Sequence, residues 1–192
     1  MSIIYTKKFE HLSEETKEAS SNKMNLLEKH NYTPYLIDGS RSDIENISFN
    51  NENLILKVFT AKGKQDQDIE ALLKLEDSSF YPTLYAYKKN HFLLMEKVNG
   101  ISLEELLINK KIDLTQLKII KEQYLLSVHE AASKYLDNVD KKLDQIFWDS
   151  SQKKLKVIDL GFFEQFFIQV QTLEDVIQES SSWFDEETSY YI

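Results

Sequence analysis

The chain contains no cysteine, which removes disulfides, thiolate nucleophiles and cysteine-based zinc sites together. Its four histidines, His11, His30, His91 and His129, are scattered without metal-ligand spacing. No apolar run approaches the length of a membrane span, and the first twenty residues are too polar to read as a secretory leader. Basic residues are in the minority. Lys and Arg number 23 against 32 Asp and Glu, and the net charge of −9 argues against broad nucleic-acid binding and against anionic membranes. Glycine and proline are scarce, at four and two, so each glycine marks a place where the backbone turns tightly.

What is present is an ordinary soluble composition: 42% hydrophobic residues over 192 positions suffice for one domain, or one domain with two lobes. Residues from about Ser13 to His30 read as a polar helix with Met24, Leu26 and Leu27 as its contact stripe. Three strands follow, at Tyr35–Ile37, Ile44–Phe49 and Leu54–Phe59, separated by Asp38-Gly39 and by "NNEN". "QDQDIEALLKLE" has helical spacing, and "TLYAYKKNHFLLMEKV" is a hairpin turning at Lys89-Asn90. Asn99-Gly100 breaks the chain, and Ser102 caps a helix over Leu103–Leu107. The longest helical pattern runs from Leu114 to about Tyr135. "QIFWD" and "KLKVIDL" form a last hairpin before a polar, partly helical tail. Strands gathered first and helices later predict an α+β fold with two unequal lobes.

Three charged residues stand out against this pattern. Lys57 in "LILKVF" places an ammonium on an apolar strand; the bland alternative is an edge-strand lysine that blunts aggregation. Asp159 in "KVIDLG" ends an apolar strand directly before Leu160-Gly161, and a carboxylate there needs a partner, a metal or a catalytic task. Asp140 stands just ahead of the same hairpin in "DKKLDQIFWD".

Taken together, these segments resemble a protein kinase, over roughly Tyr35 to Gly161. The resemblance is to a minimal, bacterial-type Ser/Thr kinase or a pseudokinase. It implies a protein kinase-like two-lobed fold, with an antiparallel N-lobe sheet carrying one helix and a shortened helical C-lobe. The implied division is an N-terminal helical extension over 1–31, an N-lobe over 32–98 and a reduced C-lobe over 99–192. ATP and Mg²⁺ are the implied cofactors. Lys57 would hold the nucleotide phosphates, and Asp68, four and seven residues before Leu72 and Leu75, would pair with it in place of the family's glutamate. Gly39 and Ser40 would approach phosphate in a loop where Ile37 and Ser42 replace two family glycines. Met95, Glu96 and Val98 would border the adenine. Asp140 would be the catalytic base, with Asn138-Val139 in place of the family's His-Arg. Gln145 and Asp159 would hold magnesium, Gln145 replacing an asparagine. The 31 residues after Gly161 leave no room for a full activation segment.

The implied activity is phosphotransfer to a protein hydroxyl. The alternative is a pseudokinase that binds a regulatory protein partner with weak or no ATP turnover. Kinase-like enzymes acting on small molecules, and an unrelated α+β domain, are the further competitors. The expected partner is a protein, not nucleic acid or membrane. The expected compartment is the cytoplasm of a bacterial or phage-like source, with delivery into another cell as the alternative.

Overall fold

Caps set the helix boundaries. In the computed structural model, which describes residues 2–38, 40–49, 52–65, 67–167 and 170–192, the first helix, α1 (Glu14–His30), begins where the Ser13 hydroxyl accepts the N–H of Thr16. It stops at Asn31, which adopts the left-handed conformation that asparagine tolerates. Ser13's own N–H and hydroxyl donate to the Glu52 carboxylate, so the helix start is also tied to a strand.

The chain divides into two units. The first comprises Met1–Leu73 with Pro82–Lys97. Its strands are β1 (Ile4–Tyr5), β2 (Ser42–Phe49), β3 (Glu52–Phe59), β4 (Leu84–Lys88) and β5 (Phe92–Glu96). They form one antiparallel sheet in the order β1-β4-β5-β3-β2, and α2 (Asp68–Lys74) carries the chain to the end of the unit's first segment. Alternation along β3 decides the packing: Leu54, Leu56 and Val58 join Met24 and Leu27 of α1, Phe92 and Leu94 in one buried cluster. Lys57 and Phe59 fall on the other side of the pleat.

Two expectations are corrected here. Tyr35–Ile37 is not a strand, and among the described residues β2 is therefore an edge of the sheet, paired only with β3. The reason is that no neighbour among the described residues covers the segment: Tyr35 and Ile37 are 90% and 96% exposed, and the Asp38 carboxylate accepts the N–H of Ser40 at 2.9 Å in the turn expected to follow. Leu26, expected on the contact stripe, is 54% exposed, while Met24 and Leu27 are buried. The segment before residue 32 also supplies more than a helix, because β1 pairs with β4 through Ile4↔Tyr87 and Tyr5↔Ala86.

The second unit comprises Lys74–Tyr81 with Val98–Ile192. In order it holds β6 (Ile101–Ser102), α3 (Leu103–Ile108), α4 (Leu114–Ser133), β7 (Leu136–Asn138), β8 (Ile146–Asp149), β9 (Lys154–Val157), β10 (Phe163–Gln165) and α5 (Leu173–Ser189). The strands form two small antiparallel sheets, β6-β8-β9 and β10-β7. Ser102 caps α3, and reciprocal capping boxes start α4 (Asp113 with Gln116) and α5 (Thr172 with Asp175). Gly100 has φ +115°, and a Cβ there would lie 2.5 Å from the Trp148 carbonyl oxygen, so only glycine fits this turn. The tail docks on its own unit: Phe184 is buried, and Trp183 and Phe184 flank Tyr124 of α4 at ring separations of 5.7 and 5.4 Å. No helix among the described residues is long and apolar enough to cross a membrane.

Candidate functional site

In the first unit, the Lys57 ammonium meets the Asp68 carboxylate at 3.0 Å, with side chains only 7% and 2% exposed. Asp68 is the first residue of α2, where the positive end of the helix dipole favours an acid. That position also explains how the shorter acid reaches the strand. The neighbouring Glu70 pairs instead with Lys89 at the surface.

The other residues assigned to nucleotide in this unit are less free. Gly39 lies outside the described residues. The N–H of Ser40 is taken by Asp38, and its carbonyl accepts the Thr60 hydroxyl at 3.1 Å. Met95 is buried on β5, paired with Ile55 and Leu84. Glu96 donates its N–H to the Thr83 carbonyl, and its carboxylate accepts the N–H and hydroxyl of Thr83. Its polar groups therefore fix the start of β4. Val98 belongs to the second unit, half-buried in the irregular stretch after β5.

In the second unit the two ends of one hairpin meet. The Ile158 N–H donates to the Gln145 carbonyl at 2.9 Å, which sets Asp159 one residue from a main-chain tie to Gln145. Asp159 takes the left-handed backbone itself, at φ 58° and ψ 73°, and a 3-10 turn over Leu160–Phe162 follows. The expectation that Gly161 would supply the sharp turn is thus shifted by two residues. Gln145 is 5% exposed, and its side-chain amide oxygen is buried without a hydrogen-bond partner. Such a group costs roughly 1–3 kcal/mol unless something completes it.

Asp140 lies at a bend just after β7. Its N–H donates to the Asn138 side-chain oxygen at 3.0 Å, and the Val139 N–H donates to the Phe162 carbonyl at 3.2 Å. Its carboxylate accepts from the Lys142 ammonium at 2.6 Å. Sequence reading passed over Lys142. The hydrogen bond to Asp140, with the nearby carboxylates of Asp144 and Asp159, holds the Lys142 pKa above the ordinary lysine value. Three acids and one cation therefore share one surface.

Among the described residues there is no cluster of three or more histidine or acidic groups able to cage a metal. The oxygens expected to hold a cation are the Asp159 carboxylate and the Gln145 amide oxygen, which is buried and has no hydrogen-bond partner. That set fits magnesium, which takes few protein oxygens and completes its octahedron with water and phosphate.

Chain-wide comparison gives a fold and no closer relative. No family model and no curated protein matches the chain. Solved structures do match, and they define a mixed α/β, kinase-like fold with an antiparallel sheet and, among the described residues, five α-helices. One of them is the kinase PK-1 of the Cydia pomonella granulovirus, at a TM-score of 0.57 and 15% sequence identity. The alignment covers 76% of this chain and 60% of that one, so the chain spans about 60% of the viral kinase's length.

Proposed function

We propose that the protein transfers the γ-phosphoryl group of ATP to a hydroxyl of a protein substrate. The observation that carries this reading is Gln145: its buried amide oxygen has no hydrogen-bond partner and has a use if a cation completes it, and its main-chain carbonyl is tied to Ile158, the residue before Asp159. Magnesium, when bound, would neutralise charge on the β- and γ-phosphates. Gln145 and Asp159 would hold it, and Lys57, kept in place by Asp68, would bind phosphate oxygens.

Asp140 would accept the proton of the attacking hydroxyl. As that oxygen bonds to the γ-phosphorus, the bond to the bridging oxygen breaks and ADP departs with its electron pair. Lys142, in contact with Asp140, would meet the transferring phosphoryl group as a local cation. Catalysis is then positioning and charge compensation.

A second reading, a pseudokinase that binds a protein partner, is favoured by one observation. Residues 35–37 do not extend the sheet beyond β2, and the Ser40 N–H is occupied, which removes one of the expected phosphate donors. Incubation with labelled ATP, magnesium and mixed protein acceptors tests the first reading. Phosphotransfer by the wild type that falls at least about a hundredfold in Asp140→Asn supports it. No transfer, together with no thermal shift at millimolar MgATP, would move the assignment to the binding module.

A further inference from the structure

Lys141 lies between the proposed base and Lys142, yet its side chain runs the opposite way. It is 8% exposed, whereas the Asp140 and Lys142 side chains are 32% and 52% exposed. The Lys141 ammonium meets the Asp137 carboxylate of β7 at 3.3 Å and the Glu179 carboxylate of α5 at 3.2 Å. Gln171 braces Glu179 from the preceding loop at 3.4 Å. Beside this clamp lies a cavity of about 20 Å³ lined by Tyr81, Tyr124, Asp137, Lys141 and Ser180. The Ser180 hydroxyl is fully buried there, close to the Tyr124 hydroxyl, and the space suits one ordered water.

The geometry has a directional consequence. Asp140 lies at a bend and Lys142 has extended backbone, with φ −144° and ψ 145°, and along this link the buried Lys141 side chain alternates with the more exposed side chains of Asp140 and Lys142. Driving Lys141 inward therefore turns Asp140 and Lys142 outward together. The chain from 139 to 142 lies outside any helix or strand, so side-chain anchors matter more there than in the flanking elements. Burial pushes the Asp137 carboxyl up, and the ammonium of Lys141 opposes that shift.

We propose that Lys141 is a positioning residue, clamped by Asp137 and Glu179 so that Asp140 and Lys142 face the reacting groups, and that α5 is thereby part of the phosphotransfer apparatus. The proposal rests on the reading of Asp140 as base. It assigns to a helix 38 residues along the chain a role in the chemistry.

The test uses the full chain and compares wild type, Glu179→Gln, Lys141→Arg and Lys141→Met. Glu179 is 60% exposed, so its amide variant keeps the fold while halving the clamp. Expected is a fall in kcat of about three- to tenfold in Glu179→Gln with KM for ATP unchanged, since the lost interaction holds the base and not the nucleotide. Lys141→Arg restores most of the activity that Lys141→Met loses. Amide hydrogen exchange over residues 139–142 should quicken in Glu179→Gln, and this readout needs no turnover. Wild-type kcat in Glu179→Gln overturns the proposal, whether or not exchange quickens. If the wild type itself transfers no phosphate, the reading of Asp140 fails separately, and unchanged exchange in Glu179→Gln then overturns the clamp on its own.

Discussion

Gln145 and Ile158 are joined main chain to main chain at 2.9 Å, while the side-chain amide oxygen of Gln145 is buried without a hydrogen-bond partner. The side-chain oxygen of Gln145 gains nothing from the fold as it stands. Gln145→Leu, close in volume and free of the polar atom, should stabilise the metal-free protein by about 1 kcal/mol in urea unfolding. The same variant should lose most of the thermal shift given by MgATP. A variant that is less stable yet binds MgATP normally would show that the amide serves the fold and not a cation.

The Lys57–Asp68 pair invites a double-mutant cycle. Each single change, Lys57→Met or Asp68→Leu, deprives a buried charge of the partner it faces and should cost about 3 kcal/mol. The double variant should recover most of that loss, because two apolar side chains replace two desolvated charges. Nucleotide binding should not recover with it. ATP-induced stabilisation restored along with the fold would remove Lys57 from the phosphate site.

His91 makes unfolding pH-dependent. Its ring is buried, Nε2–H donates to the Tyr32 carbonyl at 2.6 Å, and Nδ1 has no partner. Burial lowers its pKa below the usual 6.5, with Lys88 and Lys64 adding to the shift and the Tyr32 bond and Glu28 opposing it. The unfolded chain then binds the proton more readily than the folded one. The contribution is complete above about pH 6.5 and is lost as pH falls below that value. Urea midpoints from pH 7.5 to 5 should decline more steeply in wild type than in His91→Gln; parallel curves would assign the acid sensitivity elsewhere.

Gly100→Ala tests the junction before α3. The substitution meets both a left-handed backbone and the Trp148 carbonyl, so a loss of about 2–3 kcal/mol is expected. Thermal unfolding within a degree of wild type would mean that the loop relocates freely.

Much of this architecture was legible because it is local. The hairpins β4–β5 and β8–β9, the capping of α3 by Ser102 and the amphipathic α2 all announce themselves within a dozen residues. What stayed hidden depends on distant partners. β1 is two residues long and exists because Tyr87 and Ala86 accept it as a neighbour. β7 and β10 span three residues each and define one another across the intervening hairpin. The false strand at Tyr35–Ile37 had the right composition but finds no neighbouring strand among the described residues, and Tyr35 and Ile37 stay exposed. Within the site, the spacing pointed to Asp140, Gln145 and Asp159, and the kinase-like fold is the coarser statement that the structural comparison supports. Lys142 stands two residues from Asp140 and could have been weighed for that nearness. The contact of Lys141 with Glu179 could not, since nothing near either residue hints at the other.

The backbone of Asp159 bears on how any of this should be probed. An L-residue with a φ of +58° tolerates that conformation best when it is asparagine, aspartate or glycine. Alanine at 159 would therefore alter two things at once, erasing the carboxylate and penalising the local chain geometry. Asparagine preserves shape and torsional preference while removing only the charge. Loss of activity in the amide isostere can be read as chemistry; the same loss in the alanine substitution cannot.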